Sequence, residues 1–144
     1  MKRELEGDMV FDAGVLIDLM TSTPGGIKVK NKLLEGLLTG FSTELAITEL
    51  RYVLCRKLGF KKAKKLVDML ISSGYIVVED ISPLIDLAAV YKCERAISLP
   101  DCFSIALGEY LSLPVLFARR EAELQTEIKK KPFNIEIHFL EDFI

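Results

Sequence analysis

Asp12, Glu49, Asp101, Glu121 and Glu123 each stand beside a stretch that is built to be buried. Asp12 directly follows MVF (9–11). Glu49 lies in AITELRYVL, with Leu45, Ala46, Tyr52 and Val53 three and four residues away, which puts an acid inside the core-facing stripe of a helix. Asp101 opens SLPDCFSIALGEY, and Glu121 and Glu123 follow LPVLFA within about one helical turn. Taken singly, each acid has an ordinary explanation as a turn residue, a flank residue, a cap or a first-turn acid favoured by the helix dipole. Gathered at one place, carboxylates from separate segments repel and resist ionisation unless a cation neutralises them. The set offers only oxygen ligands, without histidine or thiol, so the cation it suits is a hard one, Mg²⁺ or Mn²⁺.

Several elements must bring these acids together. MVF is a short strand, and GVLIDLM a helix stopped by TSTPGG; a second helix is expected over 27–38. GFST is a brief strand in which Ser42 or Thr43 caps the helix ELAITELRYVLCRKLG, closed by Gly59. FKKAKKLVDMLISSG follows as an amphipathic helix, then the strand YIVVED and a helix PLIDLAAVYKCERA started by Ser82 and Pro83. Ser98 caps the helix that carries Pro100 in its first turn and Asp101 three residues after the cap. LPVLFA is a buried strand, RREAELQTEIKK a polar helix and NIEIHFL a final strand. The alternation predicts a three-layer α/β/α sandwich with a central parallel sheet, one domain over 1–144. In such sheets ligands bind beyond the carboxyl ends of the strands, where Asp12 and the acids after LPVLFA fall.

Composition narrows the function classes. With 144 residues, half of them hydrophobic and 28% charged, the chain has material for a globular core. A net charge of −2 gives no whole-chain signal for nucleic acid, so any such contact rests on local patches. Cys55, Cys93 and Cys102 are odd in number and unpatterned, which speaks against a disulfide framework or zinc site and suits a reducing cytoplasm. Cys102 is expected to be a small buried hydrophobe, Tyr52 to pack, and His138 to be a surface or packed residue, since no second histidine exists to share a metal. The charged start MKRELEG leads into no uninterrupted apolar run, so neither an export signal nor a membrane span is expected.

VFDAGVLIDLM, AITELRYVL and ISLPDCFSIALGEYLSLPVLFARREAEL, in that order and over essentially the whole chain, resemble a PIN domain, the fold of VapC-type toxins in toxin–antitoxin pairs. The resemblance implies a cytoplasmic, metal-dependent endoribonuclease, acting on single-stranded or structured RNA, often homodimeric and paired with an antitoxin. It implies a quartet of acids, Asp12, Glu49, Asp101 and Glu121, holding one or two Mg²⁺ or Mn²⁺ and promoting in-line attack of water on phosphorus. Ala13 and Gly14 stand where members commonly carry Thr or Ser, and Glu121 where an aspartate is usual, with Glu123 able to substitute. Arg51, Arg119 and Arg120 are candidate substrate contacts, and the run from Arg56 to Lys65 is either a solvated helix face or a phosphate-tracking groove. Ala13 and Gly14 also motivate an alternative, a catalytically weakened binding or dimerisation module. A phosphoacceptor receiver-like domain ranks last, because LPVLFA is followed by arginine and no neighbouring acidic pair is evident.

Overall fold

The computed structural model describes residues 4–144. Five strands, β1 (Gly7–Phe11), β2 (Leu38–Thr43), β3 (Ile76–Glu79), β4 (Val115–Phe117) and β5 (Ile137–Phe139), pair in parallel in the order β3-β2-β1-β4-β5. The alternation of side chains along them feeds two cores. Met9, Phe11 and Leu116 join one cluster, and Val10, Val115 and Phe117 the other. Helices α1 (Ala13–Met20), α2 (Pro24–Leu34), α3 (Glu44–Leu58) and α4 (Phe60–Ser72) cover the first face with Val15, Leu16, Val29, Leu50, Leu54 and Val67. Helices α5 (Ile85–Glu94), α6 (Leu99–Leu111) and α7 (Ala122–Lys130) cover the second with Ala88, Tyr91, Ile105, Leu107 and Leu124. This is the three-layer α/β/α arrangement that the alternation of elements predicts, and it buries both sheet faces as a parallel sheet requires.

Gly40 and Gly26 are among the glycines set by close approach. A Cβ on Gly40 would lie 2.5 Å from the Phe11 ring, so its absence lets Phe11 seat beneath β2. A Cβ on Gly26 would lie 1.8 Å from the Asp18 carbonyl oxygen, where α2 crosses the end of α1.

The second helix differs from the expected 27–38: it begins at Pro24 and ends at Leu34. Thr23 caps it, its hydroxyl accepting the Gly26 N–H at 3.1 Å, and Pro24 occupies a first-turn position where no N–H is needed. Gly36, at φ 73°, turns the chain so that Leu38 starts β2. Ser82–Leu84 forms a 3₁₀ turn ahead of α5, and Arg119 to Glu121 precede α7 rather than belonging to it. Thr43 is the cap of α3, accepting the Ala46 N–H at 3.0 Å. Ser98 caps α6 as expected, accepting the Asp101 N–H at 3.2 Å. Because only Ser112 to Pro114 link α6 to the start of β4, α6 runs antiparallel to the strands and its first turn lies at their carboxyl ends. Among the described residues no helix is long and apolar enough to cross a membrane. The first three residues of MKRELEG lie outside the described residues.

Candidate functional site

Asp12 is fixed by both neighbours of the central strand. Its N–H donates to the Leu116 carbonyl of β4 at 3.0 Å, and the Phe11 carbonyl just before it accepts the Ser42 hydroxyl of β2 at 2.9 Å. It holds the N-cap position of α1 without closing a capping hydrogen bond. Its Oδ1 instead accepts the Ser104 hydroxyl of α6 at 2.9 Å. Asp101 and Ser104 are three residues apart on α6, so the helix presents both on one side, with Asp101 in the first turn. Glu49 is half-buried on the second turn of α3, and Glu121 is exposed at the N-cap position of α7.

These acids feel one another. Burial raises the Asp12 carboxyl above its ordinary value; the Ser104 hydroxyl and the N–H groups of Gly14 and Ala13 offset part of this, and the Glu121 charge adds to it. Glu49 is raised by partial burial, then by Asp12 and Glu121. Asp101 is pushed up to about 7, first by burial, then by Asp12 and Glu121, with Ser98 opposing and Glu49 adding. Asp12, Glu49, Asp101 and Glu121 therefore form one electrostatic unit, although they come from four separate stretches of the chain. Glu123, exposed in the first turn of α7, is not among the leading influences on the other three.

As placed, no three His, Cys, Asp or Glu side chains among the described residues close to within reach of a single metal ion. The donor chemistry nonetheless fits a hard divalent cation: every member is a carboxylate, three of them carry a penalty for ionising, and a cation removes that penalty.

The three candidate substrate arginines carry acidic partners. Arg51 reaches Asp68 at 2.7 Å, where Lys64 also binds, and Lys64 and Arg51 together hold the Asp68 carboxyl below the usual range. Arg119 reaches Asp18 of α1 at 3.1 Å. Arg120 pairs with Glu141 and Asp142 in the 3₁₀ turn Leu140–Phe143 and lies over the Phe139 ring, 4.9 Å from its centroid. Lys57, Lys61, Lys62 and Lys65 are exposed. Tyr52 does not pack as expected: it is 46% exposed, with the Arg56 guanidinium 5.0 Å from its ring centroid. Its place near the outer end of the stripe on α3 leaves it beside solvent and cation rather than core. His138 is buried, 3.1 Å from Glu136, and Cys102 is fully buried.

Two residues escape the sequence reading: the buried serines Ser42 and Ser104, which hold the backbone and the carboxylate around Asp12. Ser104 had a signal, a hydroxyl three residues after Asp101 in an otherwise apolar helix. Ser42 had less, since its position beside Thr43 offered two cap candidates.

The family model described as the PIN domain matches residues 9–125. No curated protein matches the chain. Among solved structures, the chain is similar to VapBC2 from Rickettsia felis bound to a DNA fragment from its promoter, with a TM-score of 0.69 at 12% identity over 92% of this chain and 98% of that one. It is also similar to VapC20 of Mycobacterium tuberculosis, described as a sarcin–ricin loop cleaving toxin, with a TM-score of 0.63 at 14% identity over 83% of this chain and 94% of that one. FitAcB from Neisseria gonorrhoeae matches with a TM-score of 0.61 at 17% identity over 92% and 98% of the two chains. At these identities the likeness is one of fold.

Proposed function

The chain belongs to the PIN domain family, and from that premise we propose that it is a cytoplasmic Mg²⁺- or Mn²⁺-dependent endoribonuclease, the toxin of a VapBC-type pair. The observation that carries the reading is electrostatic: Asp12, Glu49 and Asp101 are each raised first by burial and then by neighbouring carboxylates, with Glu121 acting on all three, at the carboxyl edge of a parallel sheet. A divalent ion bound there supplies a Lewis acid for a phosphate oxygen and an acidified water. Asp12, Glu49, Asp101 and Glu121 would hold the ion after closing around it, and Glu121 is favoured over Glu123 as the fourth member because its charge is among the leading influences on the others. The chain need supply no nucleophile of its own.

Arg119, which stands two residues before Glu121 and whose side chain is 64% exposed, is the candidate for guiding the RNA backbone, its guanidinium open to a phosphate while it is held at 3.1 Å by the buried Asp18 carboxylate. Arg51 and Arg120 remain candidates of the same kind, each having to release an acidic partner first. The alternative of an inert module rests on Ala13 and Gly14, and the Ser104 hydroxyl on Asp12 weakens it. An antitoxin belongs to the proposal by likeness to the VapBC2 and FitAcB structures, and a homodimer belongs to it as what the family resemblance implies.

Purified protein should cleave generic single-stranded RNA with Mn²⁺. EDTA should abolish cleavage, and Asp12→Asn should lower it by about a thousand-fold, the loss of several kcal/mol of electrostatic stabilisation. Absence of cleavage across several RNAs with Mn²⁺ would select the inert module.

A further inference from the structure

We infer that Ser104 is a positioning residue: its hydroxyl, brought in from α6, orients the Asp12 carboxylate for metal binding. The inference rests on the nuclease reading above. Ser104 is 1% exposed and lies in the interior of α6 among Phe103, Ile105 and Ala106, all buried. A hydroxyl there is costly unless it finds an acceptor, and a helical serine ordinarily returns it to the carbonyl four residues back. Ser104 instead spends it across 92 positions of sequence, on Oδ1 of Asp12 at 2.9 Å. If packing alone were wanted, alanine would fill the position without a polar group to satisfy.

The surroundings of Asp12 explain why an outside donor matters. The next two residues, Ala13 and Gly14, carry no side-chain donor; their backbone N–H groups lie by the carboxylate without closing a full capping bond, so Ser104 is the side-chain donor brought to it. Strand pairing fixes its backbone, but rotation of the carboxylate about its last torsion is left to whatever touches the oxygens. Ser104 ties one of them. Since Asp101 sits one turn away on the same side of α6, the same bond also sets Asp12 against Asp101. Partners of this kind around a ligating carboxylate fix its direction and so its affinity.

The test is calorimetric titration of the full chain with Mn²⁺, for wild type, Ser104→Ala, Ser104→Cys, Ser104→Thr and Asp12→Asn, with thermal melts in EDTA alongside. Ser104→Ala and Ser104→Cys should weaken Mn²⁺ by about ten-fold or more while Ser104→Thr, which keeps the hydroxyl, stays within about three-fold of wild type. RNA cleavage by Ser104→Ala should recover as Mn²⁺ is raised, which a purely structural lesion would not do. Folded Ser104→Ala binding Mn²⁺ like wild type, or folded Ser104→Thr binding as weakly as Ser104→Ala, overturns the inference and leaves the nuclease reading standing. A wild type without Mn²⁺ affinity, or Asp12→Asn binding as wild type does, removes the nuclease reading and the positioning role with it. Should Ser104→Ala unfold, Ser104→Cys, close to serine in volume, carries the same comparison.

Discussion

Arg95 and Asp101 are buried to nearly the same degree, 9% and 8% exposed, yet their surroundings are opposite. Arg95 ends α5 and reaches the last turn of α7, donating through Nη1 to the carbonyls of Glu127 at 3.0 Å and Lys131 at 2.6 Å. Its guanidinium also stands 3.8 Å from the Glu127 carboxylate and 4.1 Å from the centroid of the Phe133 ring. A cation at a helix C-terminus, with carbonyls, a carboxylate and an aromatic face around it, is compensated on every side. Asp101 meets Asp12, Glu121 and Glu49, and the Ser98 hydroxyl is what opposes them. The same fold thus neutralises one buried charge and, at Asp101, gathers charges of like sign as the leading electrostatic neighbours. A region of the first kind serves stability, and a region of the second kind is suited to an outside cation.

The comparison breaks first at Arg95. Arg95→Ala would leave the buried Glu127 with only the exposed Lys130 ammonium, 3.7 Å away, and would free the carbonyls of Glu127 and Lys131, and should cost about 3 kcal/mol in urea unfolding. At the other region the sign reverses. Asp101→Asn should stabilise the protein in EDTA by on the order of 2 kcal/mol at pH 8, because the folded state no longer ionises an acid whose neighbours oppose it. The pH dependence follows from the direction of the shift. With a folded value of about 7 above an ordinary one near 3.8, the wild-type contribution is favourable at low pH and is lost as pH rises through that window. The advantage of Asp101→Asn should therefore vanish near pH 4, grow toward pH 7 and level off above it; an equal advantage at pH 4 and pH 8 would show that charge is not its cause.

Smaller effects sharpen the contrast. Mn²⁺ at ten times its dissociation constant should raise wild-type stability by about 1.4 kcal/mol. Thermal melts should show that gain shrink in Asp101→Asn and persist in Arg95→Lys, which lies away from the acidic cluster. Arg119→Ala should cost about 1–2 kcal/mol, less than Arg95→Ala because the arginine is open to water, yet measurable because the Asp18 carboxylate it leaves behind is buried. If Arg119 guides RNA, the same variant should raise KM at low salt with little change in kcat, measured by cleavage at two ionic strengths.

Local chemistry explains which elements could be read in advance. Ser98, Pro100 and Asp101 identify the start of α6 because a cap, a residue without an N–H and a first-turn acid all concern one turn of backbone. The strand before Asp12 and the alternation of strands and helices are legible because hydrophobic period is a local property. The second helix was misplaced because TSTPGG reads as a breaker, whereas Thr23 and Pro24 in fact begin a helix and Gly26 lets it cross α1 against the Asp18 carbonyl. Nothing within six residues reveals that crossing.

Residue types and spacing by themselves determined a parallel α/β sheet, the acids at its edge and the hardness of the cation they would suit, because each follows from side-chain chemistry and short-range periodicity. Only the tertiary structure decided that Glu121 is among the leading influences on the others, that Arg119 and Arg120 stand beside it with acids already in hand, and that the side-chain donor to Asp12 comes from Ser104. Those outcomes depend on distances between segments far apart in the chain. Packing sets these distances, through the register of β1 against β2 and β4 and the short link that returns α6 to the sheet.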